Sequence, residues 1–291
     1  MIWNLGSINA DNFYQLPHLP APGETLAAMQ FDQGLGGKGA NMSVAAARAG
    51  ARVVHIGAVG ADGTWALQRL LEYGVDTPHI TVVDVPTGHA NICVDANGEN
   101  SIVLFGGANQ VLNEQMIGAA LTEASPDDMF LMQNETSGQV YAVETAKTLG
   151  LYVAYAAAPF QAAAVSAIMD HIDLLILNEV EAEQLAFETG LSLDALPMRD
   201  IVVTLGAAGC KWVSNALKSE ISYPAYPVES VDSTGAGDTF TGYLIAALDR
   251  GMLMPDAIDL ALKAGALMVT RHGTADVIPD LKEIEDHKFS T

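Results

Sequence analysis

The sequence predicts an α/β fold: a doubly wound, mainly parallel sheet with helices on both faces, plus a small β-sheet that acts as a lid. Three observations lead there. From Met129 onward, short apolar runs alternate with stretches of helical period. Two strand-like runs flank an Asn-Gly pair, the signature of a hairpin. Half of the 291 residues are hydrophobic, ample for one sizeable core.

In order, Ile2 to Ile8 reads as an opening strand ended by Asn9-Ala10-Asp11. The segment from Asp11 to Gly34 holds Pro17, Pro20, Pro22 and several aromatic residues without helical period, which suits a loop with short strands. Gly34-Leu35-Gly36-Gly37-Lys38-Gly39-Ala40-Asn41 then runs into an alanine-rich helix from Met42 to Ala49, closed by Gly50. Arg52 to Ile56 is a second strand. Asp62 stands where it would cap a helix from Thr64 to Tyr73, stopped at Gly74. His89 to Val94 and Ser101 to Phe105 form the hairpin around Asn97-Gly98. With the segment after Asp11 it is expected to make the lid, about residues 11–34 and 86–108 of a single domain spanning 1–291.

Beyond the lid, Met129 to Gln133, Tyr152 to Ala156, Leu174 to Leu177 and Ile201 to Leu205 read as strands. Gln139 to Leu149 and Val180 to Thr189 read as helices, and the alanines from Ala154 to Ala164 as tight packing. In such sheets ligands bind beyond the carboxyl ends of the strands. Asn9, Asp11, Glu135, Asn178, Thr204 and Gly206 are all expected there.

Charge and composition exclude several functions. Thirteen basic against 35 acidic residues give a net charge of −22, which repels nucleic acid. Cys93 and Cys210 sit in apolar, strand-like surroundings and read as reduced thiols. No signal segment or membrane-spanning run is evident, so a cytoplasmic protein is expected. The 7 histidines show no paired spacing for zinc. Gly37-Lys38 lacks the P-loop pattern, since Asp32 stands where the first glycine belongs and Gly39 where Ser or Thr belongs. Gly6-Ser7-Ile8-Asn9 offers no dinucleotide fingerprint after the first strand, and no G-x-S-x-G elbow occurs.

Two stretches carry chemistry. Gly235-Ala236-Gly237-Asp238 opens a helix marked by Phe240, Tyr243, Leu244, Ala247 and Leu248. A Gly-rich turn there presents unpaired N–H groups to an anion, with Asp238 beside it as a base or, on the plainer reading, as a helix cap. Gly37, Gly39 and Asn41 allow close backbone approach and add an amide. Asn9, Asp11 and Glu135 add acceptors, a mixture suited to a buried polyhydroxyl ligand. Asn178 and Glu181 put two oxygen-bearing side chains on one face of a helix start, suited either to Mg²⁺ near phosphates or to ordinary capping.

Gly36-Gly37-Lys38-Gly39-Ala40-Asn41 with Val44-Ala45-Ala46-Ala47-Arg48, and Asp232-Ser233-Thr234-Gly235-Ala236-Gly237-Asp238-Thr239-Phe240, are similar to the two signatures of the ribokinase (PfkB-type) family of sugar and nucleoside kinases. The resemblance covers nearly the whole chain. It implies an ATP-dependent sugar kinase that phosphorylates a primary hydroxyl, D-ribose first among the acceptors. Another pentose, a ketohexose or a nucleoside is the alternative within the family, and a silent sugar-binding protein the alternative outside it. Asp238 would be the base, with Gly235, Ala236 and Gly237 as an anion hole. Asn9, Asp11, Gly37, Lys38, Asn41, Glu135 and Asp238 would meet the sugar, with specificity set by lid side chains around Asn91 and Leu104. Asn178, Thr204, Leu205, Gly206, Ala207, Ala208, Gly209 and Gly237 would bind ATP. Glu181 would serve Mg²⁺ through water. Asp232, Thr234, Met268, Arg271 and Gly273 would hold potassium, mainly through backbone. The resemblance also implies a homodimer through the lid. Val277 replaces a hydroxyl-bearing residue common in the family's potassium site, and Leu262 a polar adenine contact. The segment between Glu181 and Thr204 is shorter than the family's.

Overall fold

The structure, a computed structural model, describes residues 1–289. The chain begins with β1 (Ile2–Leu5), β2 (Asn9–Gln15), β3 (Gln30–Gly36), α1 (Lys38–Arg48), β4 (Val53–Gly60), α2 (Thr64–Glu72) and β5 (Asp76–Val83). Next come β6 (Gly88–Val94), β7 (Asn100–Phe105), α3 (Glu114–Leu121), β8 (Met129–Gln133), α4 (Gln139–Thr148), β9 (Tyr152–Ala156) and α5 (Ala162–Ile168). The remainder is β10 (Leu174–Asn178), α6 (Glu179–Thr189), β11 (Asp200–Thr204), β12 (Cys210–Ser214), β13 (Ser219–Tyr223), α7 (Ala236–Asp249), α8 (Met254–Met268) and α9 (Leu281–Asp286).

Nine strands form the large sheet in the order β13-β12-β11-β10-β9-β8-β1-β4-β5. Pairing is parallel from β11 to β5, while β12 and β13 fold back antiparallel at one edge. Side chains alternate between two cores, as strand pleating requires. Met129 and Leu131 of β8 face a core shared with α1, α7 and α8; Phe130 and Met132 face one shared with α3 to α6. Both faces are therefore covered by helices, the doubly wound arrangement.

The small sheet has the order β3-β2-β6-β7, with β2 and β6 parallel and the outer pairs antiparallel. The β6–β7 hairpin closes where Asn-Gly predicts, with Gly98 at φ 83 and the Asp95 carboxylate accepting from the N–H groups of Asn97 and Glu99.

Three expectations change. The opening strand ends at Leu5, and Asn9-Ala10-Asp11 starts β2 of the small sheet instead of a turn. The reason is partnership: Asn9–Gln15 pairs on one side with β3 and on the other with β6. Helix α1 begins at Lys38, before the alanine run, because Gly37 takes φ 92 and turns the chain directly into it. Asp62 does not cap α2. Its carboxylate accepts from the N–H and hydroxyl of Thr87 at 3.0 and 2.8 Å, tying the turn after β4 to the entry of β6.

Candidate active site

Helix α7 starts at Gly235, whose φ of 76 a side chain would strain and whose backbone makes the N-cap without any side-chain cap. Asp238 lies inside the first turn, so it is not the cap. Its Oδ2 accepts a hydrogen bond from Asn41 Nδ2 at 2.9 Å. The carboxyl is buried, and burial raises its proton affinity; the Lys38 ammonium and the Asn41 amide oppose that, and Glu135 adds to it. Asn41 Oδ1 is buried with no partner among the described residues, an acceptor left for a ligand hydroxyl.

Lys38 is held in its charged form first by Asp238, against the cost of burial, and then by Glu135 and Glu181. Three carboxylates thus act electrostatically on one ammonium. Asp11 carries the consequence: burial first, then the charges of Glu135 and Asp238, push its carboxyl up to about 7. The packing leaves no room for side chains at the turn. A Cβ on Gly36 would stand 1.9 Å from Asp11 Oδ2, and one on Gly37 2.9 Å from Ser7 O and 3.0 Å from Asn9 N. Asn9, Asp11, Gly37, Lys38, Asn41, Glu135 and Asp238 therefore converge, although they come from β2, the start of α1, the loop after β8 and α7.

Two members of this cluster escape sequence reasoning. Ser7 donates its hydroxyl hydrogen to Glu135 Oε2 and accepts from Gly39 N at 3.1 Å, while Lys38 N donates to the same Glu135 oxygen at 3.1 Å. Asn109 donates to Asn9 Oδ1 at 2.8 Å and accepts from Ile8 N at 2.9 Å, leaving the Asn9 amide nitrogen for a ligand. The glycine pair Gly106-Gly107 before Asn109, like Gly36-Gly37 before Lys38, was the available signal.

The register of the small sheet sorts the two lid residues. Leu104 pairs with Ala90 and Ala90 with Asp11, so these three share a face. Asn91 points to the other face, where its Oδ1 accepts from Asn12 Nδ2 at 3.1 Å. Leu104 thus lies on the side of the acceptor cluster and Asn91 does not.

Next to the Gly235 turn lies a cleft of about 500 Å³ lined by Thr204, Gly206, Ala207, Gly209, Ala236 and Gly237. Its other walls come from Ala225 to Val228, Ser230, Phe240 and the α8 residues Leu262, Gly265 and Ala266 with Val269. A Cβ on Gly237 would meet nothing within 4 Å, so that position opens onto free space. Three expected members do not line the cleft. Leu205 packs into the core under α6, Ala208 is exposed, and Asn178 accepts from Glu181 N at 2.9 Å while its own N–H donates to Glu181 Oε2 at 2.8 Å. The last two residues form a capping box, the plainer of the two readings of that pair.

Asp232 joins two loops. Its Oδ1 accepts from Thr234 N at 2.9 Å and its Oδ2 from Gly273 N at 3.3 Å. Arg271 N donates to Met268 O at 3.1 Å, and the Arg271 guanidinium turns away to Val277 O and Glu283. Among the described residues no group of three or more His, Cys, Asp or Glu side chains could hold a metal ion. Any Mg²⁺ here would rest on nucleotide phosphates, water and fewer than three such side chains, a donor set that ion accepts.

The pfkB family carbohydrate kinase model matches residues 3–281. The chain is 38% identical to the ribokinase of Haemophilus influenzae over 294 residues, covering 96% of this chain and 95% of the relative. The ribokinase structure from Thermotoga maritima superposes with a TM-score of 0.87 at 30% identity, covering 98% of each chain. The Arabidopsis thaliana ribokinase complexed with ribose and ATP gives 0.84 at 26% identity, covering 98% of this chain and 97% of that one.

Proposed function

The chain belongs to the pfkB family of carbohydrate kinases, phosphotransferases with an alcohol acceptor, and we propose that it transfers the γ-phosphate of ATP to the primary hydroxyl of D-ribose. One observation carries this reading: Asp238, in the first turn of α7, is hydrogen-bonded to Asn41 of the acceptor cluster, while Ala236 and Gly237 of the same turn line a nucleotide-sized cleft.

Asp238 takes the proton of the sugar hydroxyl as its oxygen forms a bond to the γ-phosphorus and the bond to the β-phosphate oxygen breaks. Burial makes this carboxylate a stronger base than one in water, and Lys38 keeps it ionised until the acceptor arrives. The N–H groups of Gly235 and Gly237 stabilise the charge on the transferring group, while the Ala236 N–H donates to Ser233 O at 3.2 Å and holds the turn. Asn41 Oδ1, Asp11, the Asn9 amide and the free oxygen of Glu135 receive or give the sugar's hydrogen bonds. The cleft walls from Leu262, Ala266 and Val269 hold the base by apolar contact, and Gly206, Ala207 and Gly209 flank the phosphates. Mg²⁺ bound to the phosphates would offset their charge, with Glu181 reached through water. Asp232 and the carbonyls around Met268 and Gly273 suit a weakly hydrated monovalent ion such as potassium.

The small sheet leaves Phe31, Ile102, Val103, Leu104 and Phe105 about half exposed, and a homodimer through this lid would cover them. No helix among the described residues is long and apolar enough to cross a membrane. Dependence on ATP and two free thiols suit the cytoplasm.

An ADP-release screen of pentoses, hexoses and nucleosides with Mg-ATP tests the assignment. The highest kcat/KM is expected on D-ribose; a higher value on a nucleoside or ketohexose would replace ribose, and no turnover on any of them would end the kinase reading.

A further inference from the structure

Beneath the acceptor cluster lies a polar network that the chemistry above does not use. Asn4, Ser43, His55 and Gln133 are each 0% exposed. His55 Nε2 is 3.0 Å from Gly6 O, and His55 Nδ1 is 2.8 Å from Ser43 Oγ. A carbonyl can only accept, so Nε2 carries the hydrogen. Burial drives the His55 pKa down to about 4, so the ring is neutral and Nδ1 must accept from the Ser43 hydroxyl. The Ser43 oxygen then accepts from Asn4 Nδ2 at 2.7 Å. The second hydrogen of that amide goes to Gly39 O at 2.8 Å, and Asn4 Oδ1 accepts from Gln133 Nε2 at 2.9 Å. Every donor direction is forced by the one before it.

The two branches from His55 meet again at Ser7. One runs through Gly6 O to the Gly6–Ser7 peptide; the other runs through Ser43 and Asn4 to Gly39 O. Gly39 N donates to Ser7 Oγ, and Ser7 donates to Glu135. At the crossing the backbones touch: a Cβ on Gly39 would stand 2.3 Å from both Gly6 Cα and Ser7 N. A side chain here could not be admitted, and a peptide that rotated would carry Ser7 and Glu135 with it.

We propose that His55 is a positioning residue for the acceptor site: with Asn4 and Ser43 it forms an uncharged strut that locks the Gly6–Ser7 and Gly37–Gly39 crossing and so places the Glu135 carboxylate. The strut deepens the proposed function, since it rests on Glu135 as an acceptor contact. Asp238, Asn41 and the nucleotide cleft lie outside it.

The test is a set of variants assayed with the best acceptor from the screen. His55→Phe removes both hydrogen bonds; His55→Gln retains a donor for Gly6 O; Ser43→Ala is a milder break should His55→Phe fail to fold. His55→Phe is expected to raise the acceptor KM roughly tenfold, the effect of about one lost buried hydrogen bond, with the ATP KM within about twofold and His55→Gln close to wild type. In a Glu135→Gln background, the His55→Phe increment is expected to vanish. An acceptor KM unmoved by His55→Phe, or a full increment added to that of Glu135→Gln, would overturn the proposal, even if thermal stability fell. Amide hydrogen exchange of the ligand-free protein is independent of any acceptor. Faster exchange across residues 36–41 with α7 still protected is expected in Ser43→Ala and His55→Phe, and unchanged exchange would overturn the strut. Absence of turnover by the wild type would instead count against the kinase reading, leaving the exchange result to decide the strut.

Discussion

Replacing Asp238 by Asn separates chemistry from binding more cleanly than any other change in this site. The side chain is buried, and its one hydrogen bond among the described residues comes from Asn41 Nδ2 at 2.9 Å. An asparagine carbonyl can accept that same bond, so the cluster should keep its shape. Lys38 loses its largest electrostatic support but keeps Glu135 and Glu181. The loss is therefore confined to the proton acceptor, worth about 10²–10⁴ in rate, or ~3–5 kcal/mol in the barrier. At saturating sugar and Mg-ATP, coupled ADP release should show kcat lower by that factor, while calorimetric titration of sugar without nucleotide should show affinity within about threefold. A kcat near wild type would refute Asp238 as the base. A collapse of sugar affinity with kcat preserved would recast it as a binding group.

Because the Asp11 carboxyl is pushed up to about 7 and its ionised form is the better acceptor of sugar hydroxyls, kcat/KM for the sugar should rise roughly tenfold from pH 6 to 8. Asp11→Asn should flatten that limb; a limb unchanged in the variant would assign it elsewhere. Gly36→Ala drives a methyl into the Asp11 carboxylate, so the sugar KM should rise with the ATP KM unaltered, as initial-rate kinetics would show. His55 binds its proton near pH 4 when folded against the ordinary 6.5, so the unfolded chain takes up that proton first as pH falls. Its contribution, complete above pH 6.5, should be lost between there and pH 4, about 3 kcal/mol in urea unfolding, and His55→Gln should not show that loss.

The strands of the large sheet were readable because burial writes a clear pattern. Met129–Gln133 and Tyr152–Ala156 are short, mostly apolar runs, and both strands begin and end where the sequence predicts them. Strand β5 was not readable: Pro78 interrupts it, which an edge position tolerates, and its polar alternation resembles a loop. The β12–β13 hairpin turns over Asn215 to Lys218 without a glycine, and α8 has no side-chain cap, its only start signal being Pro255 with Asp256 in the first turn. Of the site, the glycine turns and Asp238 were legible because anion binding and close backbone approach demand particular residue types in a row. Ser7, Asn109 and His55 were not, since each acts on a partner tens of residues away, and nothing local distinguishes a buried serine that steers a carboxylate from any other. Asn178 and Glu181 are the converse case, one pair of residues suited to two roles: the structure shows the capping box, and the water-mediated Mg²⁺ role is a matter for assay.

The chain leaves the large sheet after β1, and β2 carries Asn9 and Asp11 into the small one, whereas Asn41, Glu135 and Asp238 stay with the main body. A sugar that touches all five is a staple across a seam. The seam is already tied by the Thr274 hydroxyl donating to Leu35 O and by Leu35 packing in the core of the main body; a sugar adds bridges that water, too short to span the seam, cannot supply. Selectivity against wasteful cleavage of ATP would then follow from reach as much as from any single contact.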